Sequence, residues 1–110
     1  MTTRSTRLYV GAHVADGFVS VFTCPPSTVI LVKSILVLST SAVRAGSFAV
    51  QAASGQVTVT LVEDSAPVQF QPVEWNGWVV LEEGDELVTV TNITTANYWI
   101  SGAVLPVGST

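Results

Sequence analysis

The segment 29–38, which reads VILVKSILVL, constrains the fold more strongly than any other part of the chain. Only Lys33 and Ser34 interrupt its apolar residues. A helix that crosses a membrane needs roughly 20 apolar residues, so this segment is too short, and it also carries a lysine near its middle. We therefore predict no membrane span here, and instead a β-strand whose two faces are both mostly apolar.

An antiparallel sheet in a small domain usually buries one face in the core and leaves the other in water. Because both faces of this strand are apolar, we expect one face to meet the core and the other to meet a partner chain. The simple alternation of residues does not decide which face is which. Lys33 can extend from such a face to water or to an acidic residue of a neighbour. The candidate interface residues are Val29, Ile30, Val32, Lys33, Ser34, Leu36 and Leu38.

The chain is poor in charged residues. It has 110 residues, enough for one domain, and 11% of them are charged, whereas soluble domains average about 25%. We expect part of its surface to be buried against other subunits. The predicted organisation is an N-terminal arm, residues 1–6, followed by a single domain, residues 7–110. Arg4 and Arg7 are candidate contacts by which the arm lies across a neighbouring subunit.

The four basic residues are scattered along the chain, and the net charge is −4. Nucleic-acid binding through a basic stripe is therefore not expected. We also expect no cofactor, because the sequence contains no glycine-rich phosphate loop and no metal-ligand spacing.

Short runs rich in Val, Thr, Ile and aromatic residues recur about every ten residues, separated by Gly, Pro, Ser, Asn and Asp. This rhythm predicts an all-β chain folded as an antiparallel β-sandwich, similar to a jelly roll, with about 8 to 9 strands. The predicted strands are residues 7–14, 18–24, 28–39, 47–52, 56–62, 68–73, 77–81, 86–91 and 97–105.

Residues able to do chemistry are few. His13 and Cys24 could form a pair if the first two strands are neighbours, but a buried thiol and an ordinary strand histidine are the favoured interpretation. The acidic run of residues 82–86 lacks the spacing of a calcium loop and is interpreted as a solvated hairpin tip. We therefore predict that the protein is not an enzyme.

Trp75 and Trp78 flank Asn76 and Gly77, and this WNGW sequence is interpreted as a turn carrying two indoles. Two exposed indoles would form a platform for stacking on a sugar ring. The favoured alternative places one tryptophan against the core and the other at a subunit interface, where tryptophan is enriched.

Three parts of the chain resemble a known group of proteins. Residues 18–26 (FVSVFTCPP) followed by residues 28–35 (TVILVKSI), residues 78–87 (WVVLEEGDEL) and residues 100–105 (ISGAVL) are similar to segments of small β-sandwich virion proteins of tailed bacteriophages. The resemblance extends over most of residues 7–106.

This resemblance implies a non-enzymatic structural protein located in the virion, on the tail or the capsid surface, and assembled in the host cytoplasm. Its expected partners are itself, as a homotrimer or higher symmetric oligomer, and other virion proteins. A minor tail or tail-tip subunit is the leading expectation. A capsid decoration protein is the alternative, and a host glycan-binding adhesion module is a further one.

Overall fold

The computed structural model describes residues 6–14, 17–40, 46–92 and 95–106. Within these ranges no helix is long and apolar enough to cross a membrane. The regular structure consists of strands, and the predicted N-terminal arm lies outside the described residues except for Thr6. The strands are β1 (Thr6–Val14), β2 (Gly17–Thr23), β3 (Thr28–Ser39), β4 (Ser47–Ser54), β5 (Val57–Asp64), β6 (Pro72–Leu81), β7 (Glu86–Asn92) and β8 (Thr95–Pro106).

The strands form two four-stranded antiparallel sheets. Sheet 1 has the order β1-β8-β3-β6, and sheet 2 has the order β2-β7-β4-β5. Each sheet therefore combines strands from both ends of the chain, which is the arrangement of an eight-stranded jelly roll. The predicted all-β antiparallel sandwich is confirmed.

The core lies between the two sheets and is built from residues that alternate along the strands. Burial in this core, together with the neighbouring Tyr9, raises the pKa of Tyr98 above its ordinary value of 10.0. The largest core side chains are Val32, Ile35, Val37, Phe48, Val50, Leu87, Tyr98 and Ile100.

A β-bulge in the middle of β3 changes which of its residues face the core. Val32 pairs with Gly102 of β8, and Ser34 pairs with the next residue, Ser101. Lys33 is therefore the extra residue of a bulge. The bulge shifts the phase of the side chains by one residue, so the same alternation does not continue through the whole strand.

The phase shift assigns the two faces of β3. Before the bulge Ile30 and Val32 are buried in the core, and after it Ile35 and Val37 are buried there. The outer set is therefore Val29, Leu31, Leu36 and Leu38. Simple alternation puts Ile30 and Val32 on the same face as Leu36, and the bulge makes this assignment wrong. The candidate interface residues Ile30 and Val32 are therefore corrected, because they pack inside the domain and cannot contact a partner chain.

A second correction concerns β6. The sequence Trp75-Asn76-Gly77-Trp78 is not a turn but lies within this strand. The Asn-Gly pair instead lies where the register with β3 is irregular. Val32 pairs with Val79 and Ser34 pairs with Asn76, so two steps along β3 correspond to three steps along β6. A Cβ atom added at Gly77 would lie 2.7 Å from the ring of Trp75, so the indole covers the glycine.

The predicted strand 68–73 is also wrong over its first four residues. The N–H of Gln71 donates to the carbonyl oxygen of Val68 at 3.1 Å, which forms a turn. Phe70 within this turn has a φ of 61°. Two predicted strands therefore become one strand preceded by a loop.

Candidate interaction surface

The face of sheet 1 that points away from the core carries several large apolar side chains that are exposed to solvent. Trp78 is 73% exposed and Trp99 is 48% exposed. We call this surface the outer face, and it comprises Arg7, Val10, Lys33, Leu36, Trp78, Val80 and Trp99. An exposed apolar patch of this kind usually marks an interaction site.

The strand register brings part of this surface together. Trp99 pairs with Val10 of β1 on one side and with Leu36 of β3 on the other. These side chains border a shallow groove of about 440 Å³. Apart from Asn97 and Tyr98, the residues that line the groove are apolar, namely Val10, Gly11, Ala12, Leu36, Leu38 and Trp99.

Two cations rest on the two exposed indoles. The guanidinium of Arg7 lies 5.3 Å from the ring centroid of Trp99, and the ammonium of Lys33 lies 5.4 Å from that of Trp78. Both distances are within the range of a cation–π contact. The basic side chains of the described part of the chain thus lie on the outer face, although the whole chain has a net charge of −4.

Polar groups lie among and beside these apolar residues. The hydroxyls of Ser34 and Ser101 are 3.1 Å apart on neighbouring strands. On the edge strand β6, the amide nitrogen of Asn76 donates to the carboxylate of Glu74 at 2.6 Å. The serine pair lies on the two central strands of the sheet and the Asn76–Glu74 pair on its edge, so the outer face combines apolar and hydrogen-bonding groups.

Trp75 and Trp78 lie on different faces of β6, in agreement with the favoured prediction that one tryptophan packs against the core. Trp75 packs against the core, whereas Trp78 is exposed. They therefore cannot form one stacking platform. Trp78 instead shares the outer face with Trp99, which was not predicted as a site residue. The sequence signal for its exposure was its position next to Tyr98, because neighbouring residues of a strand point to opposite faces and Tyr98 is buried.

The remaining predicted contacts are distributed as follows. Val29, Leu36 and Leu38 belong to the outer set of β3, and Arg7 lies in β1 beside Trp99. Arg4 lies outside the described residues. Whether a partner chain covers these residues stays a prediction.

The acidic hairpin between β6 and β7 is held by its own hydrogen bonds. The N–H of Glu82 donates to the Asp85 carboxylate at 2.9 Å, and the N–H of Asp85 donates to the Glu82 carbonyl at 2.9 Å. The bond from Glu82, followed by one from the Ser54 hydroxyl, lowers the pKa of Asp85. In the described ranges, no group of three His, Cys, Asp or Glu residues is placed to hold a metal ion.

Cys24 ties this hairpin to the loop after β2. Its N–H donates to the Asp85 carbonyl at 2.8 Å, and its carbonyl accepts from the N–H of Gly84 at 3.0 Å. The thiol is buried, with its sulfur 3.2 Å from the Thr28 carbonyl oxygen. The proposed pair of His13 and Cys24 required the first two strands to be neighbours, and this condition is not met because β1 and β2 lie in different sheets.

Comparison of the sequence with protein-family models gives no match, and comparison with curated proteins gives none either. The outer face is therefore interpreted from its own chemistry. Exposed tryptophans beside apolar side chains, with cations stacked on the indoles, are suited to contact with another macromolecule.

Proposed function

We propose that this protein is a non-enzymatic structural subunit of a tailed-bacteriophage virion, which assembles as a symmetric oligomer and attaches through the outer face of sheet 1. The observation that carries the proposal is the exposure of Trp78 and Trp99 on one sheet face. The low charge content and the resemblance to small virion proteins support it. Jelly rolls are common in viral capsid proteins, although a fold alone does not define a function.

The chemistry of the outer face favours a protein partner. Tryptophan and arginine are the residue types most enriched at interface positions that dominate binding energy. Arg7 and Lys33 already lie over the indoles, so a partner that covers the rings also meets two positive charges. We expect the complementary surface to be apolar with acidic groups at its rim.

The leading position for the subunit is the tail or tail tip, where trimeric or hexameric symmetry is expected. The alternative is a decoration protein on the capsid surface. Immunoblotting of separately purified tails and tailless heads distinguishes the two. Signal confined to tails supports the first position, and signal confined to heads supports the second.

A host glycan is a further alternative partner, favoured by the groove in which Asn97 lies beside Trp99. An indole with an adjacent amide provides stacking and hydrogen bonding to a sugar ring. Binding of host cell-wall glycans that is lost with Trp99→Ala, while assembly is retained, would favour adhesion over a structural role.

Alanine substitutions on the outer face test the structural role. Trp78→Ala and Trp99→Ala are each expected to weaken binding to purified particles about 30-fold, which corresponds to the roughly 2 kcal/mol loss that defines an interface hot spot. The measurement is co-sedimentation of the purified protein with particles that lack it.

The matched control is Phe18→Ala. Phe18 lies in sheet 2 and is 74% exposed, the same degree as Trp78. It should bind like the wild type. If all three variants bind equally well, or if only Phe18→Ala is impaired, the outer face is not the attachment surface.

A further inference from the structure

The strand β5 forms an edge of sheet 2, and a cleft between the two sheets opens beside it. Among the strands that the structure describes, β5 pairs with β4 alone, and β6 is one of the two edge strands of sheet 1. Side chains of both edge strands line a cleft of about 220 Å³ between the sheets, whose lining is apolar apart from Ser54 and Asp85. They include Val57, Val59 and Leu61 from β5, and Val79 and Leu81 from β6.

The side chains that point into this cleft from β5 are poorly covered. Val57 is 65% exposed and Val59 is 54% exposed, although both line the cleft between the sheets. Folded proteins usually protect an edge strand with a charge, a proline or a bulge. Residues 57–60 contain no charged residue and no proline, and the bulge in β5 comes after them, beside Leu61.

On its other side, the backbone of β5 has N–H and C=O groups that no described strand pairs with. The hairpin between β4 and β5 has a two-residue turn, Gly55-Gln56, and Ser54 pairs with Val57. In an antiparallel ladder, hydrogen-bonded pairs alternate with non-hydrogen-bonded pairs. Val57 and Val59 therefore bond to β4, whereas Thr58 and Thr60 direct their N–H and C=O groups away from it.

We infer that two copies of this chain pair through their β5 strands, antiparallel about a two-fold axis at Val59, so that sheet 2 continues from one copy into the other. Thr58 of each copy exchanges backbone hydrogen bonds with Thr60 of the second copy. The two Val59 side chains meet at the axis, and Val57 lies opposite Leu61 of the second copy. The apolar side chains then cover the open clefts, while the threonines stay on the solvent side.

A second copy fits this edge because β5 has the alternation that the edge requires, with valines directed inward and threonines outward. Charge also permits the approach. The whole chain has a net charge of −4, which opposes self-association, but residues 54–62 carry no ionisable side chain. This contact goes beyond the proposed function and does not involve the outer face.

Engineered cysteines test the inferred register. The Cα atoms of a directly opposed non-hydrogen-bonded pair lie about 4.5 Å apart, which is within the span of a disulfide. Val59→Cys is therefore expected to form a disulfide-linked dimer with oxidised glutathione, as measured on a non-reducing gel. The native Cys24 is buried, and the wild-type protein on the same gel measures any cross-linking through it.

Thr58→Cys is the matched control. It lies on the same edge but is offset from the axis and points to the other side of the sheet, so it should remain unlinked. Failure of Val59→Cys to cross-link, or equal cross-linking of both variants, overturns the inference. Trp78→Ala added to Val59→Cys should not alter the cross-linking, and this keeps the result separate from that for the outer face.

Light scattering gives an independent measurement of the same contact. Thr58→Pro removes an N–H that points away from β4, so it should halve the oligomer mass without breaking the β4 ladder. Thr58→Val keeps the N–H and should keep the wild-type mass. A monomeric wild type, or an unchanged mass for a folded Thr58→Pro variant, contradicts the pairing. If circular dichroism shows that Thr58→Pro is unfolded, the cysteine result decides.

Discussion

Val32→Asp is expected to unfold the domain, whereas Leu36→Asp leaves it folded. The two residues lie in the same strand, but the bulge at Lys33 places them on opposite faces. Val32 is fully buried in the core, where a carboxylate would have neither water nor a charged partner. Leu36 is partly exposed on the outer face, so an aspartate there keeps its hydration in the isolated subunit.

We expect Val32→Asp to cost about 4 kcal/mol or more of unfolding free energy, a loss that few small domains tolerate. Leu36→Asp should cost less than about 1 kcal/mol and should abolish particle binding. Urea unfolding followed by tryptophan fluorescence measures both. Equal destabilisation by the two substitutions would contradict the assignment of the β3 faces.

Gly102→Ala is expected to have the second large effect. Gly102 lies on β8 where that strand passes the bulge of β3, and a Cβ atom there would overlap the carbonyl oxygen of Leu31. The Leu31 oxygen belongs to the backbone of a central strand, so it cannot move aside as a side chain can. We expect a loss of about 3 kcal/mol, at the upper end for overpacking.

Gly77→Ala is the control for this prediction. Its added Cβ would meet the ring of Trp75, a side chain, and the indole can shift at the partly exposed edge strand. We expect it to cost about 1 kcal/mol in urea unfolding. If Gly102→Ala unfolds at the same urea concentration as the wild type, the close approach of β8 and β3 is not present.

Much of the fold could be predicted from local patterns. Glycine, proline and acidic residues mark most of the strand ends, and the alternation of residues 56–62 indicates a strand. The bulge at Lys33 could not be predicted in this way, because it depends on how Val32 and Ser34 pair with neighbouring strands. Its effect on the β3 faces is why Ile30 and Val32 were assigned to the interface.

The interaction surface was predictable only in part. The apolar excess of β3 predicted a second apolar face for a partner, and Trp78 was one of two tryptophans of which we expected one at an interface. Trp99 and Val10 were missed, because their proximity to Leu36 results from the order β1-β8-β3, which joins strands from opposite ends of the chain. The Asn-Gly sequence predicts a turn because it is a strong signal for a two-residue hairpin, but here β6 continues through both residues.

In the assembled particle, we expect another protein chain to cover the outer face of sheet 1. Hydroxyl-radical footprinting with mass spectrometry measures this directly, by comparing tryptophan oxidation in the isolated protein and in purified particles. Trp78 and Trp99 should be oxidised in the isolated protein and protected in the particle, while Phe70, exposed in the loop before β6, should be modified equally in both. Equal oxidation of Trp78 and Trp99 in the two samples would contradict the claim.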